Sequence, residues 1–387
     1  MISDSMKKVL VITGSRGEYG YIRPFLLRCK EKDSAITADV LATNMHLLEC
    51  NGYTLDQFKQ DGIDVKYKID NTLRNDSDSS MVKSLFLFGL SLLDILDNNR
   101  YDAILLAGDR GEQLISSISG FFLNVPVFHI QAGERSGHVD GMTRHAIARF
   151  AHVHLAANED ASRRLSRFGE QEFRILTVGA PQLDEVFAVA KADSHHFLAS
   201  LDLGREEEFY LFVYHPVHED QEANKIACRV SLELLLEHKK KVIAVYPNSD
   251  SGSSAIISIL DSASSPYIHR CRNLDRYTYL HVLKNSRAII GNSSSGIIEA
   301  PVFNTTAINI GSRQSGRYRG SNVIDIPTQP SIIKKTIGSF ISQVGPKAKD
   351  SRCLDSPYGS GTSTDQIYAV ISEFVPNSKL LTKEVTL

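Results

Sequence analysis

An apolar strand-like run, Arg287–Ile290, empties into Gly291-Asn292-Ser293-Ser294-Ser295-Gly296 and then into a helical pattern that carries Glu299. A chain that hands small and hydroxyl residues from a strand to a helix N-terminus is building an α/β unit. Its turn presents backbone N–H groups and the positive end of a helix dipole to an anion. Glu299, about a turn and a half further on, is placed to accept hydrogen bonds from two ribose hydroxyls, so the segment points to a nucleoside diphosphate. A Ser-rich helix cap followed by an internal Glu is the plainer alternative.

A second turn of this kind lies near the start of the chain. The strand-like Lys8–Thr13 runs into Gly14-Ser15-Arg16-Gly17-Glu18-Tyr19-Gly20 and a helical pattern through Arg28. The glycines permit close approach to the backbone, and Arg16 offers a fork of donors to phosphate oxygens. The segment is not a Walker loop and fits the dinucleotide fingerprint poorly, so the pair of turns carries more weight than either alone. Together they suggest two nucleotide-fold halves closing on one ligand.

The 387 residues, 42% of them hydrophobic, suffice for two cores. A net charge of −2 removes any bulk electrostatic case for nucleic acid or membrane partners, so an anion site must be local. Five cysteines without C-x-x-C spacing suggest neither a disulfide framework nor a zinc cluster, and fit a reduced cytoplasm. The N-terminal residues read as a leader into the first strand and not as a signal peptide. The apolar stretch Leu85–Leu96, broken by Gly89, Ser91 and Asp94, is expected to fall short of a membrane span. Within Met81–Leu96, Leu85, Phe86, Leu87, Phe88, Leu90, Leu92 and Leu93 are too many apolar residues for a helix with one wet face, which predicts a homo-oligomer, a dimer or tetramer.

Short β-like runs alternate with helical patterns throughout, which predicts parallel sheets with helices on both faces. The strands expected are Lys8–Thr13, Thr37–Ala42, Ala103–Leu106, Val125–Ile130, Val153–Ala156 and Arg174–Val178, then Phe209–Tyr214, Lys241–Tyr246, Tyr267–Arg270, Ala288–Ile290, Thr305–Ile308 and Val323–Ile326. Residues 7–191 and 205–346 read as two Rossmann-like, doubly wound domains facing a central cleft, joined by the polar stretch Ala192–Glu207. A helix within 363–376 is expected to pack back on the first domain.

Polar residues gather where apolar strands end: Asp109 after Leu105-Leu106-Ala107-Gly108, Gln131 and Glu134 after Phe128-His129-Ile130, and His215 after Phe209–Tyr214. Asp140 can cap a helix bearing Arg144 and His145. Carboxylates converging on strand ends suit acid–base chemistry on a sugar, whereas His215 and Arg313 could stabilise charge on a leaving diphosphate. His152 and His154 share a strand face but lack further ligands, so buried structural histidines are favoured over a metal site. No metal and no cofactor is called for.

These segments together resemble the hydrolysing UDP-N-acetylglucosamine 2-epimerases of sialic-acid and legionaminic-acid pathways over about residues 7–375. The marks are Thr13–Gly20, Gly108-Asp109-Arg110, His129 with Gly133-Glu134, Asp140 and Arg144-His145, His215-Pro216, Pro247-Asn248 with Asp250 and Gly252, Gly291–Glu299, and Gly311 with Arg313-Gln314 and Arg317. Non-hydrolysing relatives typically show Glu-Ala-Gly-Leu-Arg after the His129 strand and a Gly-Gly pair in the serine turn; this chain does not. The resemblance implies a glycosyltransferase-B-like fold, with Asp109, Glu134 and Asp140 facing the sugar, supported by Arg144 and His145. Arg16, His215, Ser293, Ser294 and Arg313 would lie by the diphosphate and Glu299 by the ribose. His46, Asn248, Asp250, Tyr277 and Gly296 complete the implied substrate-binding set.

The implied reaction removes the C2 proton as UDP leaves C1, and hydration of the resulting 2-acetamidoglucal gives N-acetylmannosamine. Gln131 stands where relatives often carry Glu or His, and Gln cannot act as a general base. Either Glu134 or Asp109 takes that role, or the sugar differs, or turnover is weak. The readings open at this stage are therefore action on UDP-N-acetylglucosamine, action on UDP-2,4-diacetamido-2,4,6-trideoxyglucose, a UDP-sugar glycosyltransferase, and a non-catalytic nucleotide-sugar-binding module.

Overall fold

Leu10 and Ile12 face one side of the first strand, Val9 and Val11 the other, and all four are fully buried. A strand apolar on both faces belongs inside a parallel sheet covered by helices on each side. The computed structural model describes residues 6–48, 54–73, 78–135, 140–204, 207–217, 220–247, 252–272, 274–343 and 356–386, the side chains at 78, 140 and 343 excepted.

The described chain divides into two compact units. One comprises Met1–Arg135, Val139–Glu185 and Tyr358–Leu387, and the other is essentially Val186–Pro357. The first holds β1 (Lys7–Thr13), β2 (Ile36–Thr43), β3 (Val65–Ile69), β4 (Ala103–Ala107), β5 (Val127–Ala132), β6 (Val153–Ala156) and β7 (Ile175–Thr177) in the order β3-β2-β1-β4-β5-β6-β7. Every pairing is parallel. One face carries Val9, Val11, Leu105 and Phe128 beneath Ile22 and Phe25 of the helix Arg16–Cys29 and Ile367 and Ile371 of the helix Ser363–Glu373. The other carries Leu10, Ile12, Ile104 and Leu106 against Phe88, Leu92 and Leu96 of the helix Asp78–Asn98.

The second unit holds β8 (Phe209–Val213), β9 (Lys241–Val245), β10 (Ile268–Cys271), β11 (Ala288–Gly291), β12 (Thr306–Ile310) and β13 (Val323–Ile326), ordered β10-β9-β8-β11-β12-β13 and again all parallel. In each sheet the order reverses about one pair, β1 and β4 in the first, β8 and β11 in the second. In such doubly wound sheets the crevice outside the strand C-termini at that reversal is where ligands bind.

Three expectations need correction. The strand β3 lies in a segment that shows no apolar run, because its edge position lets Lys66 and Lys68 alternate outward. The stretch Ala192–Glu207, expected as a linker, contains the helix His195–Ala199. The helix Asp78–Asn98 outruns the apolar stretch read within it. Among the described residues its segment Ser79–Asn98 is long and apolar enough, by length and composition, to cross a membrane, although Phe88, Leu92 and Leu96 lie in the core beside the sheet.

Candidate active site

In the first unit the reversal brings the β1 turn beside the end of β4. Ser15 caps the helix Arg16–Cys29 by accepting from the Glu18 N–H, while Glu18 Oε2 accepts from Gly14 N–H at 2.6 Å. The capping pattern Ser-x-x-Glu explains why this sequence starts a helix here. Arg16, the first helical residue, is half-buried, and burial lowers its pKa. His46 is fully buried between Thr13 Oγ1, at 3.0 Å, and Thr54 Oγ1, at 2.6 Å. Burial, aided by the Arg16 charge, pushes its pKa down to about 3, which keeps the ring neutral.

Past β4, Gly108 takes the left-handed conformation at φ 85°, and Asp109 follows, half-buried. Arg144, on the helix Asp140–Phe150, donates from Nη2 to Asp109 Oδ2, while its buried Nε and Nη1 have no partner among the described residues. Burial opposes the Arg144 charge, but Asp109 and Glu134 outweigh it and raise its pKa. Glu134 is buried, accepting on Oε1 from Asn158 Nδ2 at 2.5 Å and on Oε2 from Tyr358 Oη at 3.5 Å. His145 is half-buried, edge-on to Phe168, its pKa lowered first by burial and then by Arg144. The helix begins at Asp140 itself, whose side chain lies outside the described residues.

Gln131 has φ 64°, and the β5–β6 register slips between Ile130 and Ala132, so this residue sits in a bulge. A left-handed non-glycine residue costs free energy, and bulges re-aim side chains near functional sites. The buried Gln131 amide Nε2 lies 3.5 Å from Gln182 Oε1. His152 Nδ1 accepts from Val127 N–H at 3.0 Å and His154 Nε2 meets Glu170 at 2.9 Å, so both are partnered within the first unit. Among the described residues no group of three His, Cys, Asp or Glu is arranged to hold a metal.

In the second unit β8 ends at Val213 and β11 at Gly291. A Cβ on Gly291 would lie 2.0 Å from Val213 O, so only glycine allows the two strand ends to approach this closely. The buried Asn292 side chain then bridges to His215: its Oδ1 accepts from His215 N–H at 2.7 Å and its Nδ2 donates to His215 O at 2.9 Å. Asn292 O accepts from Arg313 Nη1 at 3.1 Å and Gln314 Nε2 at 2.9 Å. Ser293 Oγ accepts from Ser295 N–H at 3.3 Å, and the half-buried Tyr279 lies beside Ser293 and Ser295. Gly296 lies close to the sheet, where a Cβ would stand 3.0 Å from Ala307 Cβ, a packing reason for glycine.

The helix after this turn is shorter than its sequence suggests. It spans only Ser295–Ile298 and passes into a 3₁₀ turn, Ala300–Phe303, with Pro301 near its start. One turn has little macrodipole, so any anion affinity here rests on individual donors. Glu299 Oε1 pairs with Arg276 Nη1 at 2.7 Å, and its buried Oε2 has no partner among the described residues. Tyr277, next along, is exposed. Asn248 and Asp250 lie outside the described residues.

Sequence reasoning passed over Asn292, Arg276, Asn158 and Tyr358 as partners of these groups. Asn292 precedes the serines directly, and Tyr358 sits in Pro357-Tyr358-Gly359, where Tyr358 O accepts from Ala180 N–H at 2.8 Å.

Two doubly wound parallel-sheet units, each with polar residues gathered at its strand reversal, define a two-domain α/β protein of the glycosyltransferase-B-like kind. A family model described as UDP-N-acetylglucosamine 2-epimerase matches residues 28–372, and the chain belongs to that family. It is 34% identical over 379 residues to the UDP-N,N'-diacetylbacillosamine 2-epimerase (hydrolyzing) of Legionella pneumophila, covering 98% of this chain and 99% of that one. It is 29% identical to the UDP-N-acetylglucosamine 2-epimerase of Neisseria meningitidis serogroup B, over 82% of this chain and 83% of that one. Among solved structures, the Neisseria meningitidis UDP-GlcNAc 2-epimerase bound to UDP-GlcNAc superposes with a TM-score of 0.79 at 18% identity, covering 95% of this chain and all of that one.

Proposed function

We propose that this chain is a hydrolysing 2-epimerase of a UDP-activated 2-acetamido sugar, with UDP-2,4-diacetamido-2,4,6-trideoxyglucose as its substrate. The observation that carries the sugar assignment is full-length similarity to the Legionella pneumophila enzyme, supported by 29% identity to the GDP/UDP-N,N'-diacetylbacillosamine 2-epimerase (hydrolyzing) of Campylobacter jejuni. UDP-N-acetylglucosamine is the second reading, favoured by the Neisseria meningitidis relative.

A sugar C2–H is not acidic, so its removal must be coupled to departure of UDP from C1. The first unit supplies the carboxylates: Asp109, held by Arg144, Glu134, held by Asn158 and Tyr358, and Asp140 handle protons at the sugar. Gln131 orients substrate without acting as base. His46 and His145 line the same unit, neutral or nearly so. In the second unit His215, Ser293, Ser294 and Arg313 receive the developing diphosphate charge. Glu299 accepts from the ribose, with Tyr277, Gly296, Asn248 and Asp250 completing the substrate set. Preorganised donors aimed at a leaving group typically contribute several kcal/mol.

A homo-oligomer belongs to the same proposal. Val82, Phe86 and Leu90, four residues apart with Met81 and Leu87 beside them, are exposed on the helix Asp78–Asn98. They leave on the order of several hundred Å² of apolar surface, the scale of one side of a standard interface.

The test is turnover of both UDP-sugars, side by side, without any acceptor. A kcat/KM at least tenfold higher for the diacetamido sugar supports the assignment, and a preference for UDP-N-acetylglucosamine replaces it with the second reading. Binding without UDP release from either would leave a binding module. Release only on addition of an acceptor sugar would make the chain a transferase.

A further inference from the structure

We propose that Asn292 is a positioning residue that sets His215 and Arg313 together for the diphosphate; the inference rests on the reading of those two as diphosphate-side groups. The β8–β11 ladder pairs Ile289 with Leu211, Ile290 with Phe212 and Gly291 with Val213, and the bond from Asn292 N–H to Val213 O at 3.1 Å is its last backbone rung. Beyond that rung the sheet no longer holds the β8 extension. The Asn292 amide takes over, accepting from His215 N–H and donating to His215 O, both within 2.9 Å. The two bonds fix the His215 backbone as a strand partner would.

The same residue reaches the third strand end through its carbonyl, which holds the Arg313 guanidinium and the Gln314 amide. Asn292 thus joins the extensions of β8, β11 and β12 at the strand reversal of this sheet. It is fully buried, so every bond it makes is shielded from water. Only a carboxamide of this length supplies a donor and an acceptor to one residue's N–H and C=O. Aspartate keeps the acceptor but sets a carboxylate oxygen against the His215 carbonyl. Alanine leaves both backbone groups short of a partner.

The experiment measures UDP affinity by calorimetry and steady-state kinetics for wild type, Asn292→Asp, His215→Ala and the double variant, with melting temperatures alongside. Asn292→Asp should weaken UDP binding and lower kcat/KM by tenfold or more. In the His215→Ala background the same change should cost less than threefold, because residues that act through one another are not additive. Full additivity, or unaltered UDP binding by a folded Asn292→Asp, overturns the proposal. If wild type binds UDP and His215→Ala and Arg313→Ala do not weaken it, the reading beneath the proposal has failed instead. Should Asn292→Asp not fold, Gln314→Met removes one bond to the Asn292 carbonyl and leaves the clamp. It should weaken UDP several-fold at unchanged melting temperature, and unchanged affinity there also overturns the proposal.

Discussion

Arg144 is buried behind Asp109 and bonds to its carboxylate with one nitrogen, while its two other guanidinium nitrogens have no partner among the described residues. A paired cation of this kind fixes the direction of the carboxylate. Asp109→Asn should therefore cut turnover by roughly 10²-fold or more while UDP affinity stays within a few-fold. Asp140→Asn should behave alike. Loss of UDP binding in step with turnover would show that these residues hold nucleotide instead of moving protons.

Glu134 has both oxygens engaged by neutral donors, Asn158 and Tyr358, and its neighbour Gln131 has no carboxylate to substitute for it. Glu134→Gln should lose at least as much turnover as Asp109→Asn, on the order of 10²-fold. Near-wild-type UDP release by that variant would shift the acid–base work to Asp109 and Asp140.

Glu299 pairs one oxygen with Arg276, and the other has no partner among the described residues. Glu299→Ala should weaken UDP by about 1.5–3 kcal/mol, the usual worth of a charged hydrogen bond, and leave kcat on saturating substrate largely intact. Calorimetry decides it; an unchanged UDP affinity would mean the free oxygen does not face the ribose.

Glu18 is buried, and burial pushes its pKa up to about 8 from 4.5, Arg110 opposing and Glu112 adding to the rise. A carboxyl raised in the folded state stabilises fully below its unfolded pKa, and that stability is lost as pH climbs through 4.5 toward 8. Glu18→Gln removes the dependence, so its stability relative to wild type should grow with pH by up to about 1.4 kcal/mol per unit. Chemical denaturation at pH 5, 6.5 and 8 reads this directly, and a gap independent of pH would contradict it.

The alternation of strands and helices was legible because parallel strands buried on two faces are continuously apolar: Ala103–Ala107 and Phe209–Val213 are buried throughout and end within one residue of the runs read from composition. β3 was not, since Lys66 and Lys68 give an edge strand the look of a loop. The candidate carboxylates Asp109 and Glu134 stood out because each follows a buried strand. Their holders did not: Tyr358 meets Glu134 across 224 residues and Asn292 meets His215 across 77. Such pairs arise only when the chain returns to a sheet, and no local periodicity encodes them. The one-turn helix after the serines was overread for a related reason, since Pro301 and the left-handed Asn304 redirect the chain just beyond it.

The exposed stripe Val82, Phe86 and Leu90 predicts self-association. Phe86→Glu with Leu90→Lys should give a folded monomer by light scattering at micromolar concentration. A wild type that is already monomeric there would remove the basis for the oligomer.

The central claim is that C2 loses its proton as UDP leaves. Incubation of the protein with the diacetamido UDP-sugar in D₂O, followed by NMR, tests it most directly. The account predicts released UDP and a free sugar of manno configuration carrying deuterium at C2, with the C2 proton signal lost from every product molecule. A free sugar of gluco configuration that keeps its C2 proton would mean simple hydrolysis at C1, and would contradict the account.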